Sequence, residues 1–60
     1  MVDKQEITEM MRRQADSLRV MSAAMLDYSQ AECDEWHTHG IELQCAAGQI
    51  ESWIVEIEDE

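Results

Sequence analysis

Apolar residues recur along the first half of the chain at alternating spacings of four and three residues. This first stripe consists of Ile7, Met11, Leu18, Met21, Met25 and Tyr28, with Gln14 as its polar member and Met10 beside it. A sustained seven-residue repeat is typical of an α-helix that packs along one face. Asp3 is placed to cap the start of this helix, with Glu6 three residues later as in a capping box. The pattern predicts a helix from about residue 2 to 27.

The second half carries a similar stripe, which consists of Trp36, Gly40, Leu43, Ala47, Ile50, Ile54 and Ile57. Tyr28 and Trp36 are eight residues apart instead of seven, so the two stripes are out of phase and the first helix must end between them. Ser29–Glu32, SQAE, has the form of a capping box that would start a second helix. We therefore predict a turn at about 28–29 and a helix over about 30–57. A continuous kinked helix is the alternative, because no glycine marks the end of the first helix.

The predicted fold is all-α, a single domain over residues 1–60 in which two helices form an antiparallel hairpin. Trp53–Ile57, WIVEI, favours a strand by propensity because it is rich in β-branched and aromatic residues. A strand needs a partner, however, and the chain offers no second convincing one. We therefore assign this segment to the second helix.

The two stripes together hold more apolar surface than one pair of helices can hide. A chain of 60 residues also buries only about 60% of its unfolded surface, so its core is marginal without a staple or a partner. Two hairpins that form a four-helix bundle would cover both stripes. We therefore predict a homodimer, with a core formed by Ile7, Met11, Leu18, Met21, Met25, Tyr28, Trp36, Leu43, Ala47, Ile50, Ile54 and Ile57.

Charge is distributed unevenly between the two halves. Residues 1–29 hold all four basic residues and five acidic ones, whereas residues 30–60 hold nine acidic residues and neither Lys nor Arg. Arg12 lies four residues before Asp16, a spacing typical of an ion pair within one helix. The acidic second half would repel nucleic acid and anionic membranes and attract a basic protein surface. Two alternative interpretations of the acidic surface are a role in solubility alone and an imitation of nucleic acid that binds a basic protein.

Two features of the composition bear on the compartment of the protein. No apolar run approaches the roughly 20 residues that cross a bilayer, so no membrane segment is expected. Two cysteines are too few for the disulfide framework of a small secreted domain. We therefore expect a cytoplasmic protein.

Both cysteines and both histidines lie within thirteen residues, as Cys33, His37, His39 and Cys45. Zinc ligands must converge on one point, but at about 100° per residue these four side chains point in different directions around a continuous helix. They would converge only if Thr38–Gly40 interrupted the helix. Cys33 and His37 have the spacing of a thiolate–imidazole pair, but no third group is placed to orient them. We therefore expect no metal, no cofactor and no enzymatic activity.

The surface of the second half offers candidates for contact with a partner. Polar residues off the stripe and one tryptophan, the residue type most often found as a binding anchor, make up this set. The residues predicted to contact a partner are Asp34, Glu35, His37, Glu42, Glu51, Trp53 and Glu56.

The segment HGIELQCAAGQIESWIVEI, residues 39–57, resembles small acidic α-helical accessory proteins encoded by phages and prophages. Proteins of that kind often bind a host regulator or defence protein and block it, as anti-CRISPR proteins and quorum-sensing anti-activators do. The resemblance implies a stoichiometric binder in the host cell cytoplasm, and it assigns a role to no individual residue. A structural or assembly subunit is the alternative, followed by a small metal or redox module.

Overall fold

The computed structural model describes residues 1–59, which form two α-helices packed against each other as a hairpin. Helix α1 spans Lys4–Tyr28 and helix α2 spans Glu35–Glu58. The hairpin measures 44 × 16 × 13 Å. The predicted all-α hairpin is confirmed, and the segment WIVEI lies within α2. The alternative of one continuous kinked helix is wrong.

Helix α1 begins as the sequence predicts. Asp3 is its N-cap, with an extended backbone, and the carboxylate accepts a hydrogen bond of 2.8 Å from the Glu6 amide. This bond satisfies one of the amides that have no partner in the first turn of a helix.

The connection between the helices is longer than the predicted turn and covers residues 29–34. Ser29 is the C-cap of α1: its backbone is extended, and its hydroxyl donates to the Leu26 carbonyl at 2.7 Å. Asp34 caps α2 and accepts from the Trp36 amide at 2.7 Å. The predicted start of the second helix, with a capping box at Ser29–Glu32, is therefore wrong. The cap is Asp34, five residues after Ser29. The rings of Tyr28 and Trp36 lie edge to face across the turn, 5.1 Å apart.

The helices meet along what we call the seam, which consists of Thr8, Ala15 and Ser22 on α1 and Gly40, Ala47 and Ile54 on α2. All six residues are buried and recur every seven positions. Small side chains let the two backbones approach closely. The Ser22 hydroxyl donates to the Gly40 carbonyl at 2.6 Å, and a Cβ at Gly40 would lie 2.8 Å from Cγ of Leu26.

The seam corrects the predicted orientation of the first stripe. Among the predicted core residues, Ala47 and Ile54 are buried in the hairpin. The stripe of α1 does not face α2, because Thr8, Ala15 and Ser22 occupy that direction. Those predicted core residues that are half-buried in the single chain are Met11, Leu18, Met25, Leu43, Ile50 and Ile57, and those that are exposed are Ile7, Met21, Tyr28 and Trp36.

Candidate interaction surface

Large apolar side chains line one long side of the hairpin, next to the seam. We call this surface the apolar flank; it consists of Ile7, Met10, Met11, Gln14, Leu18, Met21, Met25 and Tyr28 from α1 and of Trp36, Leu43, Ile50, Trp53 and Ile57 from α2. At about 100° per residue, its α1 members lie within an arc of about 100° to one side of the seam. Both helices contribute to it, since Met11 and Gln14 line the same groove as Ile50 and Trp53.

The apolar flank is concave near the open end of the hairpin. The groove there has a volume of about 530 Å³ and is lined by Val2, Ile7, Met10, Met11, Gln14, Ile50 and Trp53. Near the turn, Met21, Met25, Tyr28 and Trp36 form an aromatic and methionine cluster on the same side. This cluster lines a smaller concavity of about 290 Å³, so the two ends of the flank differ in the size of their concave surfaces.

The apolar flank is open to solvent, and none of its members is charged. Met21 and Trp53 are each 47% exposed and Trp36 is 41% exposed. Every helical position of α1 within its arc is uncharged, although 30% of the residues of the chain are charged. A contiguous exposed patch of this kind is typical of an interaction site.

The opposite side of the hairpin is closed by two ion pairs between the helices. Arg12 donates two hydrogen bonds to Glu58, at 2.7 and 2.8 Å, and Arg19 donates from its Nε to Glu51 at 2.9 Å and from its Nη2 as well. Arg12 thus pairs with α2, not with Asp16 of its own helix. Because the two arginines and the two glutamates are each seven residues apart, the pairs follow the register of the seam.

These ion pairs stabilise the charged forms of their members. The hydrogen bond from Arg19 lowers the pKa of Glu51 below the usual 4.5. The hydrogen bonds to Glu51 and to Glu58 raise the pKa values of Arg19 and Arg12 in turn. A carboxylate with a lowered pKa in the folded state contributes stability above its unfolded pKa, and this contribution is lost as the pH falls through the folded value.

We expect Glu51→Gln to destabilise the hairpin at pH 7, and we expect this loss to shrink as the pH falls through the lowered pKa of Glu51. At pH 7 the substitution removes the negative charge that pairs with Arg19, whereas below the lowered pKa the wild-type carboxyl is itself neutral. Urea unfolding followed by circular dichroism over a series of pH values from 7 downwards measures the difference. Glu56→Gln is the control, since Glu56 is exposed on the same helix and forms no ion pair among residues 1–59. A loss for Glu51→Gln that stays constant across the acidic range would contradict the role of the ion pair.

The residues predicted to contact a partner are distributed over several environments. Glu35, Glu42 and Glu56 are exposed on α2, and Glu42 lies 2.7 Å from Nδ1 of His39. Asp34 serves as the N-cap of α2, His37 is half-buried, Glu51 is paired with Arg19 and Trp53 lines the groove. The three exposed glutamates are therefore the acidic members of the set that are not engaged with another structural element.

The cysteines and histidines do not form a common site in the described residues. Cys33 lies in the connection and Cys45 on α2, and both are exposed free thiols. Within residues 1–59, no group of three or more His, Cys, Asp or Glu side chains is arranged to hold a metal ion. Thr38–Gly40, where an interruption would have allowed convergence, is regular helix.

The seam and the ion pairs between the helices are the features that the sequence reasoning missed. The apolar pattern of α1 does not include Thr8, Ala15 and Ser22, because two of them are polar and the third is small. The available signal is that they repeat every seven residues, as Gly40, Ala47 and Ile54 do.

Comparison of the chain with protein-family models, with curated proteins and with solved structures found no match. Within the described residues, neither helix has the length and apolar character required to traverse a bilayer.

Proposed function

We propose that this chain is a small non-enzymatic interaction protein that binds a larger protein and modulates or inhibits it. The observation that carries the proposal is the uncharged apolar flank, which runs along the hairpin and is open in the single chain. A patch that combines exposed tryptophans with four methionines is suited to binding, because aromatic side chains anchor interfaces and methionine adapts its packing to a partner.

We further propose that the chain forms a homodimer, in which two hairpins build a four-helix bundle. The seam contains only one large apolar side chain, Ile54, so the single hairpin buries little apolar surface. The larger side chains that were predicted as a core lie on the flank instead. Association through the flank would place them in an interior, as expected for a chain too short to form a full core alone.

The acidic outer surface of α2 supports a basic site as the target on the larger protein. The chain carries a net charge of −10, and Glu35, Glu42 and Glu56 are exposed away from the two ion pairs. Complementary charge accelerates and orients association. The resemblance to phage-encoded accessory proteins favours a host regulator or a protein that handles nucleic acid as the target, in the cytoplasm of the host cell. A structural or assembly subunit is the second candidate function, since such a subunit could assemble through the apolar flank without any contact by the acidic surface.

The decisive experiment is affinity capture from cells of the native host, followed by titration of the captured protein with purified variants. We expect the triple variant Glu35→Gln, Glu42→Gln, Glu56→Gln to bind at least about tenfold more weakly at low salt, because rim charges act through long-range attraction. The difference should shrink as the ionic strength rises. The control is Gln44→Glu, which adds an acid at an exposed position of α2 and should not weaken binding. Binding that is indifferent to both the glutamates and salt would favour the structural subunit.

A further inference from the structure

We infer that a second copy covers the apolar flank in the antiparallel orientation, so that α1 lies on α1 of the other copy with Gln14 near its equivalent. This inference rests on the homodimer proposed above and specifies its geometry. It follows from the size, the charge and the two unlike ends of the flank.

The flank has the dimensions of a stable interface. A face of 44 by 16 Å has a projected area of about 700 Å². Specific protein–protein interfaces bury about 800 Å² on each partner. One further hairpin of the same size therefore covers the flank from end to end.

Charge favours a second copy on this face over any other. Two chains of net charge −10 repel each other least where the surfaces in contact are uncharged. The α1 half of the flank is uncharged, whereas at about 100° per residue the exposed Glu35 and Glu42 of α2 lie at its edge beside Trp53. Contact of α1 with α1 therefore buries the uncharged half and leaves these acids at the rim of the interface, where they remain available to a basic partner.

Two orientations of a twofold dimer bring flank against flank. If the axis runs parallel to the helices, the two turns lie at the same end and α1 lies on α2 of the other copy. If the axis crosses the helices at their middle, the turns lie at opposite ends and each helix lies on its own equivalent. The side chains of the flank distinguish the two.

Gln14 selects the antiparallel orientation. It is the only member of the flank with a side-chain amide, and it lies two residues from the middle of α1, or about 3 Å along the helix axis. In the antiparallel dimer the two Gln14 residues lie on opposite sides of the twofold axis and are offset by about 6 Å along the direction of the helices. The two long side chains can therefore reach each other and form an amide–amide hydrogen bond. In the parallel dimer Gln14 would face the segment of α2 around Ala47, where the members of the flank, Leu43 and Ile50, are apolar.

The groove selects the same orientation. In the antiparallel dimer the aromatic and methionine cluster near the turn of one copy overlies the open end of the other, with Met25 above Ile7 and Trp36 above Ile57. The smaller concavity at the turn end then faces the larger groove at the open end, and its large apolar side chains cover that groove. In the parallel dimer the two grooves would face each other and leave a void, which is costly because it removes packing contacts.

A distance measurement between two native thiols tests the orientation. Cys33 lies at the turn end of the hairpin and is exposed, as is Cys45. In a Cys45→Ser variant, a nitroxide on Cys33 reports the separation of the two turns by pulsed dipolar spectroscopy. We expect about 40 Å, close to the 44 Å length of the hairpin. Turns at the same end would give less than about 20 Å, since packed helices lie about 10 Å apart, and would overturn the orientation while leaving the dimer in place.

Two further results complete the test. The absence of any dipolar coupling in a monomeric sample would overturn the homodimer itself, so the two failures are distinguishable. Gln14→Leu in the same labelled chain should still dimerise but should populate both distances, because the polar residue that specifies the orientation is gone. Gln49→Leu, an exposed position of α2 outside the flank, should retain the single long distance. A single long distance in Gln14→Leu would overturn the role of Gln14.

Discussion

Replacement of Gly40 by alanine is expected to destabilise the hairpin by about 1 to 2 kcal/mol, although alanine is the better helix former. The new Cβ would lie 2.8 Å from Cγ and Cδ2 of Leu26 and 3.3 Å from the Ser22 carbonyl oxygen. Relief of this overlap requires the half-buried Leu26 side chain to change its conformation or the helices to separate, and separation would also lengthen the hydrogen bond from Ser22 to the Gly40 carbonyl. Urea unfolding at fixed chain concentration, followed by tryptophan fluorescence, measures the loss.

The chain supplies its own control for this substitution, because Gly48 lies on the same helix with nothing within 4 Å of an added Cβ. Both glycines have ordinary helical backbones, so the two substitutions differ only in the space around the new methyl group. Gly48→Ala is expected to stabilise the hairpin by about 0.5 to 1 kcal/mol. If both variants gained stability, the close approach of the helices at Gly40 would be contradicted.

The sequence predicts the helices and their antiparallel arrangement because a seven-residue repeat is a property of each helix alone. It does not predict which face meets the other helix. Hydrophobicity favours Met11 and Leu18 for that position, whereas close approach of two backbones favours the smaller Ala15 and Ser22. The choice depends on the fit between two surfaces, and a search within one helix does not detect it.

The error in the turn follows from the same cause. A turn at residues 28–29 would bring Ser22 opposite residue 35 at the beginning of α2. In the structure Ser22 instead meets Gly40, a position on α2 without a side chain. This register moves the centre of the connection to about residue 31, and the helix then starts at the next residue suited to a cap, Asp34. The local capping signal at Ser29 is overridden by packing between the helices.

For the candidate interaction surface, the sequence predicts which types of residue contribute better than it predicts where each residue lies. Most of the predicted core residues lie on the flank, because their repeat places them on one side of each helix. Glu51 was predicted to face a partner but is paired with Arg19, since an exposed acid and an exposed arginine meet only once the register of the hairpin is set. Pairing across two helices depends on that register, which the sequence pattern alone left open.

Leu43→Asp is expected to abolish the homodimer and to leave a monomer at micromolar concentration. Leu43 is half-buried in the single chain and lies in the middle part of the flank on α2. In a twofold dimer the substitution places two carboxylates in one interface, where burial of unpaired charge costs several kcal/mol and like charges repel. A penalty of about 3 kcal/mol or more raises the dissociation constant at least about 100-fold. Light scattering coupled to size exclusion measures the change, and circular dichroism shows whether the helices persist.

Ile41→Asp is the matched control, because Ile41 is an aliphatic residue of similar size two positions earlier on the same helix and is 40% exposed outside the flank. Both variants replace an aliphatic residue of α2 by aspartate and therefore have the same net charge. A difference in their dimerisation reflects the helix face that is substituted and not the added charge. We expect Ile41→Asp to remain a dimer with near wild-type stability, since substitutions at exposed positions change stability by about 0.5 kcal/mol or less. A dimer that survives Leu43→Asp, or one that dissociates equally in both variants, would show that the chain associates through a surface other than the apolar flank.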